Sequence, residues 1–142
     1  TNLAILHVLK KMNKKFDYVI ELLPTYLFRK KLTVRKAIKK LIENKKYHSL
    51  ISIVKISNTS HPDFIITKKK DILYYKTPAT KFNRHYIKTY YQPTGHILMS
   101  KYESLMKKKN MLNGNVIGIE ITDKKEMHDI NDKFDLKFAR YL

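Results

Sequence analysis

The chain contains no cysteine, so neither a disulfide framework nor a thiolate metal site can be built from it. Glycine is almost as scarce, with three residues at 95, 114 and 118. None belongs to a glycine-rich loop of the kind that cradles phosphates between a first strand and the helix after it. No apolar run approaches membrane-spanning length, and the opening TNLAILHVLKK is too short and amphipathic for a signal peptide. His7, His48, His85, His96 and His128 show no H-x3-H type of metal spacing, and no G-x-S-x-G marks a nucleophilic serine. Repeats and low-complexity linkers are missing as well. The expectation is one soluble, cytoplasmic domain over residues 1–142, without a membrane segment.

Positive charge is what the chain has in excess, a net +18 over 142 residues. Such a field suits a polyanion, and a basic nucleic-acid-binding module is one reading of it. Two features argue against that as the main role. The lysines are scattered in pairs and triplets along the whole chain, as at 10–11, 39–40, 68–70 and 107–109. Arginine, the usual reader of phosphates and base edges, occurs only at 29, 35, 84 and 140.

Hydrophobic spacing gives an α/β order. Ile5, Val8, Leu9 and Met12 predict a helix ending near Asn13. YVIELL (18–23) before Pro24 predicts a buried strand, and Val34, Ala37, Ile38, Leu41 and Ile42 mark a second helix with Thr33 as its N-cap. SLISIVKI (49–56) predicts another buried strand, which gives the rhythm of a sheet with parallel strands. Residues 57–93 break that rhythm with FIIT and ILYY around KKKD, a hairpin excursion. GHILMS (95–100) returns to strand character. Ser100 and Glu103 form a capping-box pattern for a helix to about Met111. NVIGIEI is a last strand, and Phe134, Phe138 and Tyr141 line a final helix.

HDINDKFDL (128–136) crowds acids before that helix. Asp129 and Asn131, two apart, make a metal site one reading of this stretch. The same residues could cap a helix, with Asn131 at the N-cap, Asp132 complementing the helix dipole and Asp135 accepting hydrogen bonds one turn in.

Four stretches in this order resemble the C-terminal part of the N-acylneuraminate cytidylyltransferases, the CMP-sialic acid synthetases and their relatives for legionaminic, pseudaminic and Kdo-type sugars. ELLPTYLFR is similar to their L-Q-P-T-S-P-L-R, retaining Pro24, Thr25 and Arg29. SLISIVKISNTSHP resembles S-x-x-S-V followed by His-Pro, here His61 and Pro62. RHYIKTYYQPTGHIL resembles the family's arm and strand motif, retaining Arg84, Pro93, Thr94 and Gly95. HDINDKFDLKFA resembles its D-I-D motif, retaining Asp129, Ile130, Asn131, Asp135 and Ala139.

The resemblance implies a Rossmann-like nucleotide-sugar transferase fold, a mostly parallel sheet flanked by helices. Its first βαβ unit, with the phosphate loop, has no counterpart in these residues. It also implies a dimerisation arm at 57–90, and therefore a homodimer. The implied reaction joins CTP to an acidic α-keto sugar, with Mg2+ held by Asp129 and Asn131 and substrate bound by Thr25, Arg29, Arg84, Gln92, Thr94 and Gly95. Lacking the loop, the 142 residues alone are expected to be inactive; a split half completed by another polypeptide is a further alternative. Leu23, Phe64, Gln92 and Leu98 replace polar or charged family residues, which points either to a sugar other than N-acetylneuraminate or to a decayed site.

Overall fold

The computed structural model describes residues 2–76 and 88–142. These form two compact units, one from the N-terminal segment up to Val54 together with Pro93–Leu142, the other Lys55–Gln92.

In the first unit, α1 (Asn2–Met12), β1 (Tyr18–Glu21), α2 (Lys31–Glu43) and β2 (Ser49–Lys55) follow one another as the hydrophobic spacing predicts. After the second unit the chain continues through β5 (Tyr91–Lys101), α3 (Tyr102–Lys108), β6 (Val116–Glu120) and α4 (Lys133–Ala139). The sheet has the order β1-β5-β2-β6. β2 and β6 are parallel, whereas β1 and β5 are antiparallel, with Tyr18 opposite Lys101 and Glu21 opposite Leu98. Lys101 N–H donates to His48 O while Ser52 lies against Thr94 and Ile97, so β5 also opposes β2. Three strands therefore share one direction and β5 alone is reversed.

Side-chain alternation along the strands divides the core into two layers. Ile97 and Met99 point to one face, where Ala37 and Leu41 of α2 pack with Leu50 and Ile119. Leu98 and Val19 point to the other, against Leu6 and Leu9 of α1, Leu105 of α3 and Met111. Covering both faces is what a mostly parallel sheet requires.

Three expected caps differ. Lys30, not Thr33, precedes the first residue of α2, and the Thr33 hydroxyl donates to Glu126 at 2.9 Å. Ser100 is buried inside β5, which runs directly into α3; no side chain caps that helix, and it stops at Lys108 because Lys109 turns left-handed. Asp132, not Asn131, caps α4, in a reciprocal capping box with Asp135. The hydrophobic residues assigned to α4 are largely exposed, Phe134 and Tyr141 most of all.

In the second unit, β3 (Ile66–Lys69) and β4 (Ile72–Tyr75) form an antiparallel hairpin over a two-residue turn, with Lys70 in the left-handed region. All eight strand residues are exposed. His61 is buried in the same unit, its Nε2 2.8 Å from Lys88 O and its ring edge-on to Tyr90.

Candidate functional site

The reversal of β5 brings distant stretches of sequence together. β5 pairs with β1 only from Leu98 onward, so Gly95 and His96 lie beyond the C-terminal end of β1, and residues 121–131 leave from the C-terminal end of β6. Ligands in open α/β sheets bind at this edge. The segments meet through two backbone ties: Ile130 N–H donates to Thr25 O at 3.2 Å, and Ile121 N–H to Ile53 O at 2.8 Å.

After β1, Pro24 and Thr25 turn the chain so that Tyr26 points inward, 6% exposed. Gly95 N–H donates to the Tyr26 hydroxyl at 3.3 Å. Burial raises the Tyr26 pKa above its ordinary value, and the Asp129 carboxylate, to which the hydroxyl hydrogen-bonds, raises it further. Tyr26 is therefore a proton-bearing donor to Asp129. An added Cβ at 95 would lie 2.4 Å from Leu23 Cδ1, so the Leu23 side chain would have to shift to admit one.

Arg29 holds the two strand ends in place. Its Nε donates to His96 O at 3.0 Å and its Nη2 to Leu23 O at 2.6 Å. Burial lowers its pKa, opposed by Tyr26 and Glu126, but a guanidinium remains charged at any working pH. Among the described residues no carboxylate lies within ion-pair distance of it.

Glu126 is 4% exposed and fixes the 121–131 segment to the start of α2. One oxygen accepts from Thr33 Oγ1; the other accepts from Lys30 N–H at 3.3 Å. An acid at this helix start also complements the dipole. Lys30 Nζ pairs with Asp123 at the surface, each pushing the other toward its charged form. His96, 1% exposed, places Nε2 3.5 Å from Glu126 Oε2, and neither of its ring nitrogens has a hydrogen-bond partner. Burial lowers its pKa, Arg29 lowers it further, and Glu126 opposes both, so His96 is neutral near pH 7.

Asp129 holds the third orphaned atom, a buried Oδ1 without a partner. Asn131, its expected co-ligand, is exposed; its Nδ2 contacts the backbone oxygen of Asp129 at 3.4 Å and its N–H donates to Asp135. Among the described residues no three acidic or imidazole groups gather as a metal cage.

Thr25, Arg29, Gly95 and Asp129 thus converge, and Thr94 adjoins them, its hydroxyl 2.8 Å from that of Ser52. Gln92 is exposed at the start of β5 and belongs to the second unit. Arg84 lies outside the described residues. Two of the positions that depart from the family motif prove to be packing positions: Leu23 rests on Gly95 and Leu98 faces the α1–α3 layer. Tyr26, His96, Glu126 and Thr33 in its actual role escaped the sequence reading. Spacing signals catch groups of ligands, and these are single residues joined only by the reversal of β5.

No family model and no curated protein matches the chain. Several solved structures share its fold, among them the following two. A 4-diphosphocytidyl-2C-methyl-D-erythritol synthase from Anaerococcus prevotii superposes with a TM-score of 0.64 at 15% identity, over 99% of this chain and 64% of its own. A CMP:2-keto-3-deoxy-manno-octonic acid synthetase complexed with CTP superposes with a TM-score of 0.60 at 10% identity, over 99% and 68%. The chain therefore spans a little under two-thirds of the first. At such identities the likeness establishes the α/β fold and nothing finer.

Proposed function

We propose that this chain forms the metal and acceptor side of a cytidylyltransferase that joins CTP to an acidic α-keto sugar. The sugar's anomeric hydroxyl attacks the α-phosphorus of CTP. A new O–P bond forms, the bond to the β-phosphate oxygen breaks, pyrophosphate leaves, and the hydroxyl proton passes to solvent or a nearby base. The observation that carries this reading is the buried, unpartnered Oδ1 of Asp129 at the carboxyl edge of the sheet, in a fold shared with a synthetase that binds CTP.

One carboxylate with a spare oxygen fits a Mg2+ whose other ligands are phosphate oxygens and water. Asp129 would hold the ion, and Asn131 contributes at most a neutral oxygen. Bound there, the metal would neutralise charge on the triphosphate. Tyr26 donates to Asp129 and so orients the carboxylate. Arg29, tied to two carbonyls, supplies a fixed positive charge for the triphosphate or the sugar carboxylate. Thr25 and Gly95 present backbone at the same edge, and Thr94 braces it. Arg84 and Gln92 are assigned to the sugar carboxylate by resemblance. The sugar is of the legionaminic or Kdo type rather than N-acetylneuraminate, since Phe64 and Gln92 stand where the family places cations.

A two-stranded hairpin with both faces exposed is marginal alone. Residues 57–90 are accordingly proposed to pair with a second copy. These 142 residues hold no glycine-rich loop, so turnover needs one supplied, whether from the same chain or from another polypeptide. The test is pyrophosphate release from Mg·CTP with Kdo, legionaminic acid or N-acetylneuraminate, with and without such a polypeptide. Release with one of the first two, dependent on Asp129, supports the reading; no release with any sugar in the complemented protein contradicts it.

A further inference from the structure

The buried pair of His96 and Glu126 has no part in the chemistry above, yet it is the most anomalous contact in the first unit. An imidazole with two unpaired nitrogens costs stability wherever water is excluded. Here it lies 3.5 Å from a carboxylate that is itself almost fully buried. Glu126 is committed to Lys30 N–H and Thr33, and so ties the 121–131 segment to the start of α2 from the interior. Three residues further along the same segment comes Asp129.

We propose that His96 and Glu126 form a proton-controlled latch that positions the 121–131 segment against β5 and α2. With His96 neutral the segment is closed. When His96 takes a proton, the segment opens to let the imidazolium reach water. His96 is thus a positioning residue, acting through Glu126. Its consequence for Asp129 rests on the transferase reading; the latch itself does not.

The charged and titratable groups around the imidazole set the direction. Arg29 sits on the His96 carbonyl and repels a second cation. Glu126 attracts it, but Glu126 is already balanced by the α2 N-terminus, Thr33 and Lys30 Nζ at 4.0 Å. The Tyr26 ring meets His96 edge-on at 5.3 Å and offers no acceptor in that direction. Burial and Arg29 together outweigh Glu126. Protonation is therefore accommodated by local opening, since the segment is held by few backbone bonds and the sheet by many.

Amide hydrogen exchange tests this on the chain as it stands, without nucleotide. Corrected for intrinsic rates, protection of the Lys30 and Ile130 amides should fall about ten-fold between roughly pH 7.5 and pH 5, while amides of the β2–β6 ladder hold theirs. In His96→Gln, which keeps a polar group but does not titrate, that drop should vanish. Equal protection at both pH values, or a drop that persists in His96→Gln, overturns the latch. Should that variant not fold, the wild-type His96 ring resonances decide: a titration midpoint coinciding with the opening supports the latch, and one unaccompanied by any amide change refutes it. Loss of pyrophosphate release with an intact latch would sink the transferase reading alone.

Discussion

Two buried polar clusters sit at opposite ends of one sheet and are built on opposite terms. At the end where β2 begins, Ser49 exchanges hydrogen bonds with Asn113 N and O at 3.1 and 2.9 Å, and Asn113 Nδ2 donates to Ser100 Oγ and to Asn110 O. Ser104 completes the set on Asn113 Oδ1. No polar atom of these side chains is orphaned. At the other end, His96 and Asp129 leave three buried atoms without partners. The first cluster orders a turn and stabilises the fold. The second holds polar capacity unspent, which is where a ligand or a proton can act.

Substitutions at the two ends should therefore differ in kind. The largest expected effect is on activity: Asp129→Asn should lower pyrophosphate release in the complemented protein about 100-fold or more, without lowering the melting temperature. A fall in melting temperature matching the loss of rate would mean that Asp129 belongs with the structural cluster. Asn113→Ala should do the reverse, costing about 1–3 kcal/mol in urea unfolding by stranding Ser104 and Ser100, with turnover per folded molecule unchanged.

The next effect is smaller and depends on pH. The folded-state pKa of His96 is depressed below its ordinary 6.5. Between that depressed value and 6.5 the unfolded chain binds more protons than the folded one, so stability rises with pH through this window and levels off above it. His96→Leu should remove that step and lie within about 1 kcal/mol of wild type at neutral pH, or above it, because an unpaired polar group is replaced by an apolar one. Urea midpoints across the window for both proteins measure this. The smallest effect is expected from Lys30→Ala: its pair with Asp123 is at the surface, and the melting temperature should not move measurably.

Much of this fold was legible in the sequence because it is written in periodicity. α1, β1, α2, β2 and β6 fall where apolar spacing puts them, and the departure from parallel rhythm after Ser57 is the hairpin unit. Caps were less legible. Thr33, Ser100 and Asn131 each carry a side chain suited to an N-cap, but tertiary partners decided the outcome: Glu126 took Thr33, the interior took Ser100, and Asp135 reciprocated with Asp132 rather than Asn131. The grouping of residues at the candidate site was half legible. Thr25, Arg29, Gly95 and Asp129 were found through motif resemblance, whereas His96 and Glu126, separated by 29 intervening residues, signal nothing until β5 reverses direction.

The most direct test of a nucleotide-handling edge is amide chemical-shift mapping of the labelled chain with Mg·CTP. The expected result is a cluster of shifts at Thr25, Tyr26, Gly95 and Ile130 that persists at moderate salt and is lost in Asp129→Asn. Shifts spread over the lysine-rich surfaces, abolished by salt and indifferent to Asp129, would contradict it and return the +18 charge to the role of a general polyanion binder.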